Sequence, residues 1–185
     1  MDGIEQMVRM GSRGMPPVTI SRSRPAASSS CCCLHLQFLQ TVPGTLKLAQ
    51  LMIGSLCESL LVTYGLGYSQ VIGPAYPSLL TTTSSCLWTT SLLLFCYVFS
   101  MNSYGLIRSS ILEPIYNMLA AVSFLSASIY MMFSVKLYLY PLYVITIGFA
   151  AYPAMMAAYM LGFVMSILHG LDAYHAFRYY KGIVL

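Results

Sequence analysis

Four apolar stretches of membrane-spanning length follow one another along this chain, with few residues between them. They cover residues 48–68, 79–101, 115–135 and 148–168. Each is close to the ~20 residues that an α-helix needs to cross a hydrocarbon core about 30 Å thick. We therefore predict an all-α integral membrane protein whose fold is a bundle of four transmembrane helices.

The connections between these stretches are too short to hold a water-exposed active site or a receptor ectodomain. Only 8% of the 185 residues are charged and 58% are hydrophobic, whereas a soluble domain carries about 25% charged residues. The chain has no HExxH zinc motif, no Gly-rich phosphate loop and no histidine boxes. We therefore expect no enzymatic activity, no cofactor and no metal. The net charge of +4 comes without a basic stripe interleaved with aromatics, so nucleic acid is not an expected partner.

The start of the chain has a different composition, and residues 1–33 are rich in Ser, Pro, Gly and Arg. They carry too little apolar surface to fold alone, and they lack the apolar segment of a cleavable signal peptide. We predict a disordered cytosolic arm over residues 1–40, a four-span membrane domain over residues 41–181 and a short tail over residues 182–185.

Lysine and arginine residues are distributed unevenly among the connections. Those on one side are Arg9, Arg13, Arg22, Arg24 and Lys47 before the first span, Arg108 in the second loop, and Arg178 and Lys181 after the last span. Lys136 alone falls on the other side. The positive-inside rule then predicts that both termini are cytoplasmic, in a multi-pass protein of the plasma membrane or of vesicles. Lys47 is expected to extend its ammonium group towards the inner headgroups.

Three adjacent cysteines, Cys31, Cys32 and Cys33, stand shortly before the first span and beside apolar residues. Cytosolic cysteines near a membrane are candidates for reversible S-palmitoylation. A zinc site that uses them is disfavoured, because adjacent cysteines cannot readily place three tetrahedral ligands on one metal ion.

Glu58 is the one ionisable residue deep within a predicted span. It lies eleven residues after Lys47, or about 16 Å along a helix, near the bilayer midplane. A charge there costs at least ~2.5 kcal/mol, so this buried polar group should face the bundle interior, be protonated, or both. The structural interpretation is one hydrogen bond to a Ser or Thr of the second span. The functional alternative is a proton or ion site, which usually needs several such groups.

A line of small residues recurs at every fourth position through the fourth stretch. Its members are Ala150, Ala154, Ala158, Gly162, Ser166 and Gly170. Small residues at this spacing let transmembrane backbones approach closely. The line predicts a helix-packing face directed at the first or third span, and the alternative is a seam between copies of the chain.

Two further segments leave their local structure open. Tyrosines crowd residues 136–143, which is typical of an interfacial aromatic belt. This segment either lies along the outer leaflet or extends an adjacent helix. Near the end of the chain, Asp172 and His175 are three residues apart and within reach of each other on a helix.

The sequence that enters the first span, VPGTLKLAQL at residues 42–51, resembles the opening of a MARVEL domain. The four evenly spaced spans and the exit sequence LDAY at residues 171–174 are also similar to that family. The resemblance covers about residues 40–181. The short loops and brief tail are closer to its myelin-and-lymphocyte and chemokine-like-factor branches, and to an insect relative associated with myoblast fusion.

This resemblance implies a non-enzymatic four-helix protein with no catalytic residues. MARVEL proteins are linked to membrane apposition, vesicle trafficking and specialised membrane domains. The function expected from the resemblance is membrane organisation in apposition, trafficking or cell–cell fusion, myoblast fusion included. The expected partners are membrane lipids and other membrane proteins, among them further copies of the chain. The alternative from a different class is a small proton- or ion-coupled transporter or channel built around Glu58.

Overall fold

The computed structural model describes residues 39–146 and 148–182, without the side chains of residues 101–104. Four of its helical segments are long and apolar enough to cross a membrane: Val42–Ile72, Ala75–Phe99, Leu112–Ile145 and Ala151–Tyr180. These described residues contain no β-strand. The predicted all-α bundle of four spans is therefore confirmed, while nearly all of the predicted arm lies outside the described residues.

Two of the four spans are composite helices. The first begins as α1 (Val42–Leu60), widens into a π-helical turn (Leu61–Gly65), tightens into a 3-10 turn (Leu66–Tyr68) and ends as α2 (Ser69–Ile72). The second span is α3 (Ala75–Phe99), and a short helix α4 (Met101–Arg108) follows it. The third span joins α5 (Leu112–Ser134), a π-helical turn (Val135–Leu139) and α6 (Tyr140–Ile145). The fourth is the single helix α7 (Ala151–Tyr180).

Local sequence explains where these helices begin and turn. Thr41 is the N-cap of α1, where its hydroxyl accepts a hydrogen bond from the Gly44 amide, and Pro43 occupies the first turn. Gly73 has a φ of 71°, a left-handed conformation that glycine adopts without a Cβ penalty. Gly73 and Pro74 thereby reverse the chain between the first two spans.

The four spans form a closed ring of antiparallel neighbours. Helix α1 packs against α3 and α7, and α5 packs against the same two helices, with the most extensive interface between α5 and α7. As a result, the start of α1, the end of α3, the start of α5 and the end of α7 meet at one end of the bundle.

Much of the interior of this ring is filled by apolar side chains, and the exterior is apolar as well. Fully buried core side chains include Cys57, Phe124, Met131, Met155 and Ala158. On the outside, Trp88 and Phe133 are 73% and 64% exposed. A surface of this kind suits a lipid environment, because lipid tails are as apolar as these side chains.

The third and fourth helices continue furthest beyond the limits predicted from hydropathy. The fourth ends at Tyr180 instead of residue 168, and the third runs to Ile145 instead of residue 135. The tyrosine-rich segment therefore extends the third span. Hydropathy marks only the part of a helix inside the hydrocarbon, whereas the backbone hydrogen bonds continue through the more polar residues that follow.

Candidate functional site

Seven polar side chains are buried together at the end of the bundle where α1 begins and α7 ends. This buried polar cluster consists of Lys47, Gln50, Arg108, Glu113, Asn117, His169 and Asp172. None of them is more than 3% exposed. They come from α1, α4, α5 and α7, so the cluster connects three of the four spans with the short helix α4.

Lys47 lies at the centre of the buried polar cluster. Its Nζ atom is 2.7 Å from Asp172 Oδ2 and 3.8 Å from Glu113 Oε1. It also donates a hydrogen bond to Asn117 Oδ1 at 3.2 Å. The expectation that Lys47 extends towards the headgroups is therefore wrong. Its ammonium group is held inside the bundle by a close ion pair with Asp172, a longer one with Glu113 and a hydrogen bond to Asn117.

The remaining members extend this network across the bundle. Gln50 donates its amide to Asp172 Oδ2 at 3.3 Å, and Arg108 Nη1 lies 3.7 Å from Glu113 Oε1. His169 Nδ1 is 3.0 Å from Asn117 Oδ1. The His169 ring also stacks on Phe124 with their centroids 5.6 Å apart. Polar contacts and apolar packing thus meet at one histidine.

The four ionisable members with full charges balance each other, with Lys47 and Arg108 opposite Glu113 and Asp172. Removing charges from water costs several kcal/mol per ion, and close pairing offsets that cost. Asp172 pairs across the bundle with α1, and no hydrogen bond or ion pair between Asp172 and His175 is found among the described residues. His175 instead lies edge-on to the neighbouring Tyr174 ring.

This arrangement is suited to fixing helix positions. Directional hydrogen bonds and ion pairs between buried groups favour the helix register in which the partners meet. In the described part of the chain, no group of three His, Cys, Asp or Glu residues could hold a metal ion. The buried polar cluster therefore links the helices to one another at one end of the bundle.

Glu58 lies apart from this cluster and is only partly buried. The hydroxyl group of Ser84, in the second span, donates a hydrogen bond to Glu58 Oε1 at 2.5 Å. The structural interpretation of Glu58 predicts this contact, a single hydrogen bond with a hydroxyl group of the second span.

The line of small residues on α7 lies inside the bundle only at its centre. Ala158 and Gly162 are buried, whereas Ala150 and Gly170 are exposed. A Cβ atom on Gly162 would collide with Ser128 of α5, and Ser166 donates a hydrogen bond to Ala121 O of α5 at 2.8 Å. Every fourth residue advances about 40° beyond a full turn, so the line rotates out of the interface at both ends.

Some of the cysteines lie within the described residues and others lie outside them. Cys31, Cys32 and Cys33, the palmitoylation candidates, lie outside the described residues. Cys57 and Cys86 are buried free thiols. The Cys57 thiol donates a hydrogen bond to Ala158 O at 3.4 Å, which brings α1 close to α7.

Sequence reasoning missed the buried polar cluster because each member was considered separately. A usable signal was present in the spacing. Polar residues are paired three or four positions apart, on one helical face, in each of three spans. The pairs are Lys47 with Gln50, Glu113 with Asn117, and His169 with Asp172.

A comparison with known proteins finds a relative with similarity along almost the whole chain. It is "Protein singles bar" of Drosophila melanogaster, 45% identical over 177 residues, which cover 95% of this chain and 99% of that protein. No family model matches the chain. No solved structure matches it.

Proposed function

Because this chain belongs to the singles bar family, we propose that it is a non-enzymatic membrane-organising protein that acts in cell–cell fusion, with myoblasts as the cell type. The observation that carries this proposal is similarity over nearly the full length of both proteins. Such coverage includes all four spans and the residues that connect them. The myoblast-fusion role that the resemblance implies is therefore proposed for this chain.

The same proposal includes a MARVEL-type domain over about residues 40–181. It rests on the entry sequence at residues 42–51. The Thr41 cap and Pro43 begin α1 there, and Lys47 and Gln50 of the same sequence belong to the buried polar cluster. The motif residues thus have a structural reason to be present together.

Membrane organisation also fits the surfaces that the described residues offer. The turn between the first two spans is made by Gly73 and Pro74 alone, and large apolar side chains cover the outside of the bundle. The surfaces available for action are therefore the helices and their edges. We propose that they act on membrane lipids and on other membrane proteins, further copies of the chain included, in apposed membranes or in the vesicles that deliver them.

We further propose that both termini are cytoplasmic, with the buried polar cluster near the inner leaflet. Arg108, Arg178 and Lys181 all belong to that end of the bundle, which agrees with the positive-inside rule.

The test is rescue of fusion in Drosophila embryos that lack singles bar. The full chain, tagged at either terminus, is expressed in myoblasts, and the number of nuclei per muscle fibre is counted. We expect multinucleate fibres to be restored, and the tags to be stained only after permeabilisation of the cells.

Matched embryos that express the Drosophila protein from the same promoter provide the upper reference. The proposal is contradicted by a chain that reaches the myoblast surface at the same level and leaves the fibres mononucleate. Tag staining without permeabilisation would separately overturn the proposed orientation.

A further inference from the structure

An apolar groove runs along the outside of the bundle between α5 and α7. It encloses about 590 Å³. Its walls include Pro114, Met118 and Val122 from α5 and Gly170, Tyr174 and Phe177 from α7. Apart from the Tyr174 hydroxyl group, every side chain that lines it is apolar.

The length of the groove matches one leaflet of a bilayer. Its lining on the α5 side extends from Ile111 to Val122. Eleven residues of helix rise about 16 Å, which is about half of a ~30 Å hydrocarbon core. One lipid acyl chain, in the leaflet at the end of the bundle that holds the buried polar cluster, therefore has the right length to occupy the groove.

Gly170 keeps the floor of this groove open. A Cβ atom at Gly170 would meet no other atom within 4 Å. Gly170 is the last member of the small-residue line and lies where that line has rotated away from α5. The absence of a side chain there thus creates space on the lipid-facing side, and it contributes nothing to close helix packing.

Two cations are positioned at the mouth of the groove by the aromatic side chains that line it. The Arg178 guanidinium lies 5.8 Å from the centre of the Tyr174 ring, and Lys181 Nζ lies 4.6 Å from the centre of the Phe177 ring. These distances are those of cation–π contacts, which hold each cation near its ring.

The charges of Arg178 and Lys181 are not balanced by the carboxylates at this end of the bundle. Among the described residues, Glu113 and Asp172 form their ion pairs with Lys47 and Arg108. The mouth of an apolar groove therefore carries two positive charges, and an anionic headgroup would complement them.

We propose that this groove is a binding site for one anionic phospholipid. Its acyl chain lies between α5 and α7 over Gly170, and its phosphate group contacts Arg178 and Lys181. This site requires only that the chain is embedded in a bilayer. It stands whether or not the protein acts in cell fusion.

Native mass spectrometry of the full chain in detergent micelles tests this proposal. The protein is titrated separately with phosphatidylserine and with phosphatidylcholine of identical acyl chains. We expect one tightly retained lipid, with phosphatidylserine retained roughly tenfold more strongly, since each cation near a headgroup contributes a several-fold preference. The double variant R178Q/K181Q should retain both lipids equally.

The acyl-chain part of the site is tested with G170L, which fills the groove and should abolish retention of the tight lipid. The matched control is G67L, because a Cβ atom at Gly67 also meets nothing within 4 Å and lies at the other end of the bundle. Equal retention of the two lipids by the unmodified chain would overturn the proposal. So would a phosphatidylserine preference that survives in R178Q/K181Q, or a tight lipid that survives in G170L. Loss of a dimer in G170L, with lipid retention unchanged, would assign the groove to a second copy instead.

Discussion

The two ends of the bundle are stabilised by different interactions. At the charged end, the buried polar cluster joins α1, α4, α5 and α7 through ion pairs among Lys47, Arg108, Glu113 and Asp172. At the opposite, aromatic end, Tyr68 lies edge-on to Phe149 with centroids 4.9 Å apart, and Tyr143 stacks on Tyr152 at the same distance. One end thus depends on directional electrostatic contacts, and the other depends on the shape of packed rings.

The backbone also differs between the two ends, since irregular helical turns occur towards the aromatic end. Both π-helical turns, Leu61–Gly65 and Val135–Leu139, lie towards the aromatic end. A π-helical turn widens the helix and displaces its regular hydrogen bonds. At the first of these turns, the Tyr76 hydroxyl group donates a hydrogen bond to Leu61 O at 3.2 Å.

This difference indicates a division of roles between the ends. Buried ion pairs fix the register of helices at the charged end, because a shift of one residue would leave a carboxylate without a cation. Ring packing and widened helical turns at the aromatic end tolerate adjustment. We therefore expect substitutions at the charged end to have the larger effects on stability.

The largest effect is expected from K47M. This variant removes the ammonium group that lies 2.7 Å from Asp172 and leaves a buried carboxylate without its partner. The expected loss in the free energy of unfolding is about 3–5 kcal/mol. It is measured by denaturant titration of the protein in detergent micelles, followed by circular dichroism.

The control for K47M is the double variant K47M/D172L. Replacing both members of a buried ion pair by apolar side chains of similar size is often neutral, so more than half of the lost stability should return. A K47M protein within 1 kcal/mol of the unmodified chain would show that the ion pair does not stabilise the charged end.

The fold could be predicted from the sequence because each span carries its own signal. Four apolar stretches of the right length are sufficient to predict four helices, whatever their partners. The turn at Gly73 and Pro74 and the cap at Thr41 are local as well. The third and fourth helices run furthest beyond the stretches that hydropathy marks, because hydropathy decreases before the helix ends.

The buried polar cluster could not be predicted in the same way, because it depends on which helices are neighbours. Lys47, Glu113 and Asp172 are far apart in the sequence, and each alone is typical of a residue at a membrane interface. Their burial follows from the ring arrangement, in which α7 lies beside both α1 and α5. A lysine near a helix start can satisfy its charge either in the headgroups or in a partner helix, and hydropathy does not distinguish the two.

An intermediate effect is expected from G65A at the aromatic end. A Cβ atom at this position would lie 2.6 Å from Tyr76 Cε2 and 3.0 Å from Met155 Sδ. Overfilling a packed site costs about 1–3 kcal/mol, less than the loss expected for K47M. The same denaturant titration measures it.

The matched control for G65A is G67A, two residues further along the same span, where the added Cβ meets nothing within 4 Å. That variant should keep or slightly raise the stability, since alanine favours helix over glycine. Equal losses in G65A and G67A would mean that backbone freedom, and not contact with Tyr76, explains the glycine.

The smallest effect is expected at Glu58, which belongs to neither end. S84A removes the hydroxyl group that donates to Glu58 Oε1, and interhelical hydrogen bonds of this kind contribute about 0.6 kcal/mol in membranes.

The transporter alternative is tested at Glu58 itself, by comparing proton and cation flux through liposomes that contain the unmodified chain or E58Q. We expect no flux above that of empty liposomes in either case.

No flux is expected because Glu58 is separated from the buried polar cluster at the charged end. Gln50, the member of the buried polar cluster nearest to Glu58 along α1, is eight residues away, or about 12 Å. Between them, the space at Gly54 is filled by Leu87 and Met165, whose side chains would lie 2.9 Å and 3.3 Å from an added Cβ. A conducting path would have to open this apolar contact. Flux through the unmodified chain that E58Q abolishes would show that it does, and would establish the transporter alternative.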